Sequence, residues 1–99
     1  MINHVVLFKL KDYPAEEKAG VLNELKTMLE GLQERIFEVK FIEVGLNKDT
    51  ESANYDIALI SYFENEKDLD AYREHPEHLK VVKRIKETTV GRAAVDYYF

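Results

Sequence analysis

Ninety-nine residues with 19 acidic and 14 basic side chains carry a formal net charge of −5, and 45% of them are hydrophobic. That is enough for one mildly acidic domain spanning residues 1–99, though a chain of this size buries only about 60–65% of the surface it exposes when unfolded. The absence of cysteine excludes a disulfide scaffold, a thiolate zinc site, an iron–sulfur cluster and a thiol nucleophile. No apolar run approaches the ~18–20 residues of a membrane helix, and no basic segment followed by an apolar run opens the chain. An acidic balance without a basic stripe disfavours a nucleic-acid partner. A cytoplasmic protein with neither nucleic acid nor membrane as partner is expected.

Ile2 to Leu10 reads as a strand with both faces apolar: His4, Val6, Phe8 and Leu10 lie on one side, Val5 and Leu7 on the other. Pro14 suits the first turn of a helix, where its missing amide costs nothing, and Glu16 and Glu17 follow at the helix's positive end. Val21, Leu22, Leu25, Met28, Leu29 and Leu32 then recur at steps of one, three and four, predicting one amphipathic helix of about five turns. A second strand runs from Val39 to Val44 and stops at Gly45. Asn47 to Asn54 is a polar loop. Tyr55 to Phe63 is a third strand, again apolar on both sides. Lys67 to Glu74 predicts a short helix, broken by Pro76. Glu77 to Glu87 predicts another, with Leu79, Val82 and Ile85 inward and Lys80, Lys83, Arg84 and Lys86 in solvent. Arg92 to Phe99 alternates as a closing strand.

The order β-α-β-β-α-β predicts a ferredoxin-like α+β fold, a four-stranded antiparallel sheet with two helices on one face. Two helices cover only one side, yet at least two strands are apolar on both. A patch of that size exceeds what soluble monomers tolerate. A second copy of the same sheet is the simplest cover, so a homodimer with a barrel-like interior is expected.

Chemistry concentrates in Tyr72-Arg73-Glu74-His75-Pro76-Glu77-His78. Pro76 forces His75 out of helical geometry, making it the cap of the next helix and placing His78 in that helix's first turn. The positive end of a helix disfavours an imidazolium, and a neutral imidazole is a usable general base. The break at Pro76 is what would let Tyr72 and His78 reach one cavity. His4 and Asp96 fall on strands that this fold makes neighbours, so they can meet across the ladder; Asp96 is also the candidate for orienting His78. A metal reading of His75 and His78 lacks a third ligand, and no glycine-rich phosphate loop or G-x-S-x-G motif is present. No cofactor and no metal are expected.

The opening Ile2-Asn3-His4-Val5-Val6-Leu7-Phe8-Lys9-Leu10-Lys11, the Tyr72-x-x-His75-Pro76-x-His78 segment and the closing Val95-Asp96-Tyr97 together resemble the stress-responsive A/B barrel (Dabb) domain family over essentially the whole chain. The resemblance implies a ferredoxin-like protomer in a dimeric α+β barrel. It also implies a likeness to a plant polyketide cyclase that performs an aldol cyclisation without a cofactor. Carried over to this sequence, the acid–base pair falls on Tyr72 and His78, the supporting histidines are His75 and His4, and the partner of the basic histidine is Asp96. The stretch Leu79–Ile85 departs from that cyclase, whose corresponding segment is aromatic- and glycine-bearing. The favoured expectation is therefore a homodimer binding a small hydrophobic or keto/phenolic molecule in its cavity without turnover. The alternatives are a cyclase-like enzyme using His78 and Tyr72 or, with less motif support, a cofactor-free monooxygenase-like barrel.

Overall fold

A computed structural model describes residues 1–99. In chain order the elements are β1 (Ile2–Leu10), α1 (Ala15–Glu30), α2 (Leu32–Arg35), β2 (Phe41–Leu46), β3 (Ile57–Phe63), α3 (Glu66–Glu74), α4 (Pro76–Thr88) and β4 (Thr89–Tyr98). The strands form one antiparallel sheet in the order β2-β3-β1-β4, the ferredoxin-like arrangement expected from the sequence.

Strand alternation sorts the side chains. Val6, Phe8 and Leu10 of β1, Leu59 and Phe63 of β3, and Ile42 and Val44 of β2 are buried beneath the helices. Val21, Leu22, Leu25 and Leu29 of α1, Leu32 of α2, Leu69 and Tyr72 of α3, and Val81 and Ile85 of α4 complete that core. The other sheet face carries Phe41, Leu7, Val95, Tyr97 and Phe99, all exposed.

The boundaries differ from expectation where backbone chemistry overrides periodicity. The hydrophobic stripe of α1 continues to Leu32, but the helix ends at Glu30, and Gly31 separates it from the single turn of α2; glycine is the weakest helix former after proline. Gly45 does not end β2, which runs on to Leu46. β4 begins at Thr89 rather than Arg92, and it carries a bulge: Lys9 pairs with Gly91 and Leu10 with Thr89, leaving Val90 between them. Gly91 suits this spot because a Cβ there would come within 3.1 Å of Lys9 Cβ and 3.3 Å of the Tyr55 hydroxyl. In α4 the buried stripe is Val81, Ile85 and Thr88, while Leu79, read as inward, is 53% exposed.

The long 47–56 connection is tied down by Asp56, which sequence reading passed over. One carboxylate oxygen accepts the Leu10 amide at 2.8 Å and the other pairs with Lys18 at 3.0 Å. Lys18 also donates to the Thr50 carbonyl at 2.6 Å, so one buried pair joins β1, α1 and the loop.

Candidate functional site

The helices leave the inner side of β4 open, and Arg92, Ala94 and Asp96 are exposed there. Between this edge and α4 lies a cavity of about 470 Å³, within the usual size range of small-molecule sites. Its walls are His4, Val6 and Phe8 of β1, Leu59 of β3, Leu29 of α1, Tyr72 and Arg73 of α3, His78, Val82, Ile85 and Lys86 of α4, and Thr89, Val90, Gly91 and Arg92 of β4. The bulge at Val90 breaks the alternation of β4, which is why four consecutive residues line one space.

The break between α3 and α4 positions the pair at the cavity's end. Asn65 caps α3 by accepting the Asp68 amide at 2.9 Å. His75 adopts an extended conformation, φ −65° and ψ 135°, as a residue preceding proline must. Its ring nitrogen accepts the Glu77 amide at 3.1 Å. His75 thus caps α4, and it does not line the cavity. Across the break the rings of Tyr72 and His78 meet with centroids 4.3 Å apart at 38°.

Their protonation states follow from their surroundings. Burial pushes the Tyr72 hydroxyl up to about 12, so it keeps its proton at neutral pH. That hydroxyl is buried without a hydrogen-bond partner, an arrangement that costs roughly 1–3 kcal/mol. The His78 pKa is lowered, chiefly by burial; the hydrogen bond to the Arg73 carbonyl opposes this, and nearby His4, Arg73 and Arg92 add to the lowering. Burial, rather than the helix end invoked from sequence, is the leading cause. Nδ1 of His78 lies 3.1 Å from the Arg73 carbonyl. The neutral ring therefore donates through Nδ1, which leaves Nε2 as its basic nitrogen.

Asp96 does not orient His78. Its carboxylate bonds Nδ1 of His4 across the β1–β4 ladder, where the two residues are directly paired, and its other oxygen accepts from Arg73 at 2.9 Å. Arg73 also reaches Asp70 at 3.1 Å. His4 itself is buried, edge-on to both Phe63 and Tyr72 with centroids 6.4 Å apart in each case. Four of the five expected site residues therefore gather around one end of the cavity, with His4, Tyr72 and His78 in its wall and Asp96 behind His4; His75 alone does not join them.

Arg73, Lys86 and Arg92 also line the cavity, and sequence reading missed all three. Lys86 is exposed, as expected, but it stands eight residues after His78 and four after Val82, so the helical repeat also sets it at the cavity's rim. No group of three or more His, Asp or Glu side chains is placed to hold a metal ion, and no helix is long and apolar enough to cross a membrane.

An antiparallel β2-β3-β1-β4 sheet backed by helices, with a histidine–tyrosine cavity at its open edge, defines a small ferredoxin-like α+β domain. The chain belongs to the stress responsive A/B barrel domain family, whose model matches residues 2–99. A dimeric protein of unknown function and ferredoxin-like fold from Bacteroides fragilis is 44% identical and superposes with a TM-score of 0.90, covering 99% of this chain and 95% of that one. An uncharacterized protein of Streptomyces coelicolor is 33% identical over 99 residues, the full length of both. The stress-response A/B barrel domain-containing protein DABB1 of Arabidopsis thaliana is 28% identical over 102 residues. That match takes in 98% of this chain and 46% of the plant protein, so the chain spans about half the length of this relative.

Proposed function

We propose that the protein is a homodimer that binds a small hydrophobic molecule, keto or phenolic compounds included, in the cavity between α4 and β4, without turnover. The observation that carries this reading is the cavity itself: about 470 Å³, walled by Val6, Phe8, Leu29, Leu59, Val82 and Ile85, with polar groups from α3, α4 and both flanking strands interspersed. Native mass spectrometry of the protein as purified tests it, together with a Val82→Trp variant that fills the space. A ligand carried by the wild type and lost in the variant is the expected result. Equal occupancy in the two would overturn the reading.

A second reading, cofactor-free acid–base catalysis of the aldol-cyclase type, is favoured by one specific observation: a neutral His78 with its basic nitrogen free stands against a protonated, unpartnered Tyr72. In this scheme His78 Nε2 removes the proton beside a carbonyl and the Tyr72 hydroxyl donates to the enolate oxygen as charge develops there. General acid–base help of this kind is worth about 10²–10⁴-fold, sufficient for an already acidic β-dicarbonyl proton. Deuterium exchange into a 1,3-diketone, followed by NMR, discriminates the two readings. Exchange accelerated by the wild type and lost in both His78→Ala and Tyr72→Phe supports catalysis; exchange at the buffer rate supports binding alone.

A further inference from the structure

The chain has 19 acidic side chains against 14 basic ones, yet the cavity wall contains three cationic residues, Arg73, Lys86 and Arg92, and no carboxylate. Arg73 is already neutralised by Asp70 and Asp96. Lys86 and Arg92 enter none of the molecule's ion pairs. Both are exposed, so two unpaired cations stand at the α4–β4 rim of a mostly apolar space, where they give that end of the cavity a positive potential. The placement follows from the backbone, since Arg92, paired with Phe8, shares the helix-facing side of β4 with Ala94 and Asp96, and the helical repeat brings Lys86 beside Ile85 and Val82. An uncharged ligand would gain nothing from either cation, which water already solvates. An acidic one with an apolar body would satisfy them while covering Val6, Phe8 and Ile85.

Resting on the cavity-binding reading above, we infer that the ligand is a small monocarboxylate with an apolar body, its carboxylate held by Arg92 and Lys86. Such contacts are charge-assisted hydrogen bonds, which are stronger than neutral ones.

The test is calorimetric titration of the full-length protein with decanoate and with 1-decanol, matched in length and differing in charge. Decanoate is expected to bind about tenfold tighter or more, with the preference shrinking as salt is raised. An Arg92→Gln/Lys86→Gln double variant, with its fold checked by circular dichroism, is expected to lose about tenfold for decanoate and nothing for decanol; the Arg92→Lys/Lys86→Arg exchange is expected to keep the preference. Equal binding of the two probes by the wild type, or a preference intact in the Gln variant, would overturn the carboxylate assignment while leaving cavity binding in place. Binding of neither probe, with no small molecule found in the purified protein, would overturn the cavity reading and this inference together.

Discussion

Tyr72 shows what a single atom reports. Its ring is part of the core, packed on Phe63 with centroids 4.9 Å apart, yet its hydroxyl is buried without a partner. Phenylalanine would keep the ring and remove the unpaired group, so Tyr72→Phe is expected to hold or raise stability. A gain of about 1 kcal/mol corresponds to roughly 4–8 °C in Tm for a domain this size. A clear fall in Tm by calorimetry would mean that the hydroxyl is satisfied in solution. His78 gives a pH dependence of definite sign. Its folded pKa is lowered from the ordinary 6.5. As pH falls through that ordinary value the unfolded chain takes up a proton that the folded chain refuses, and stability present above it is progressively lost. Tm measured between pH 7.5 and 5.5 should decline for the wild type, and His78→Gln should flatten the decline. Superimposable slopes would contradict the assignment.

The connections between elements are where buried charge takes the place of regular structure. Asp56 serves the β1 end, the α1 lysine and the loop at once. Removing it leaves Lys18, only 16% exposed at its side chain, without its countercharge. Breaking a buried pair from one side costs about 3–5 kcal/mol, so Asp56→Ala is expected to lower stability by that order in urea unfolding, far more than a surface substitution. At the α3–α4 break the sequence was explicit, because proline and its preceding residue have few conformations. At Gly31 and Gly91 it was not. Each is a lone glycine within an apolar pattern, and whether it ends a helix, sits in a strand or carries a bulge depends on what packs against it.

For the whole molecule the open sheet face is decisive. Val95 is 61% exposed, Tyr97 47% and Phe99 58%, while Phe41 and Tyr62 stack with centroids 4.8 Å apart on the same side. A stable interface removes about 800 Å² per partner, and a second sheet closing over this face would cover its exposed apolar side chains. Val95 stands opposite Val5, and Val5 opposite Ile60, across the middle of the sheet. A Val95→Glu substitution therefore places a charge at the centre of the proposed contact. Light scattering at micromolar concentration is expected to give a dimer for the wild type and a monomer for the variant; an unchanged dimer would place the interface elsewhere.

By itself the sequence determined the element order, the two apolar sheet faces and the Tyr72–His75–Pro76–His78 break. Each of these is local, set by side-chain periodicity and by the few backbone conformations that proline permits. Only the tertiary structure decided that Asp96 serves His4 and Arg73 rather than His78, that burial is the leading cause of His78's lowered pKa, and that Lys86 and Arg92 face the cavity. Those outcomes depend on which strand lies beside which, on which faces enclose the cavity, and on how deeply a ring is desolvated. Such relations join residues as far apart as His4 and Asp96, and no short stretch of sequence encodes them.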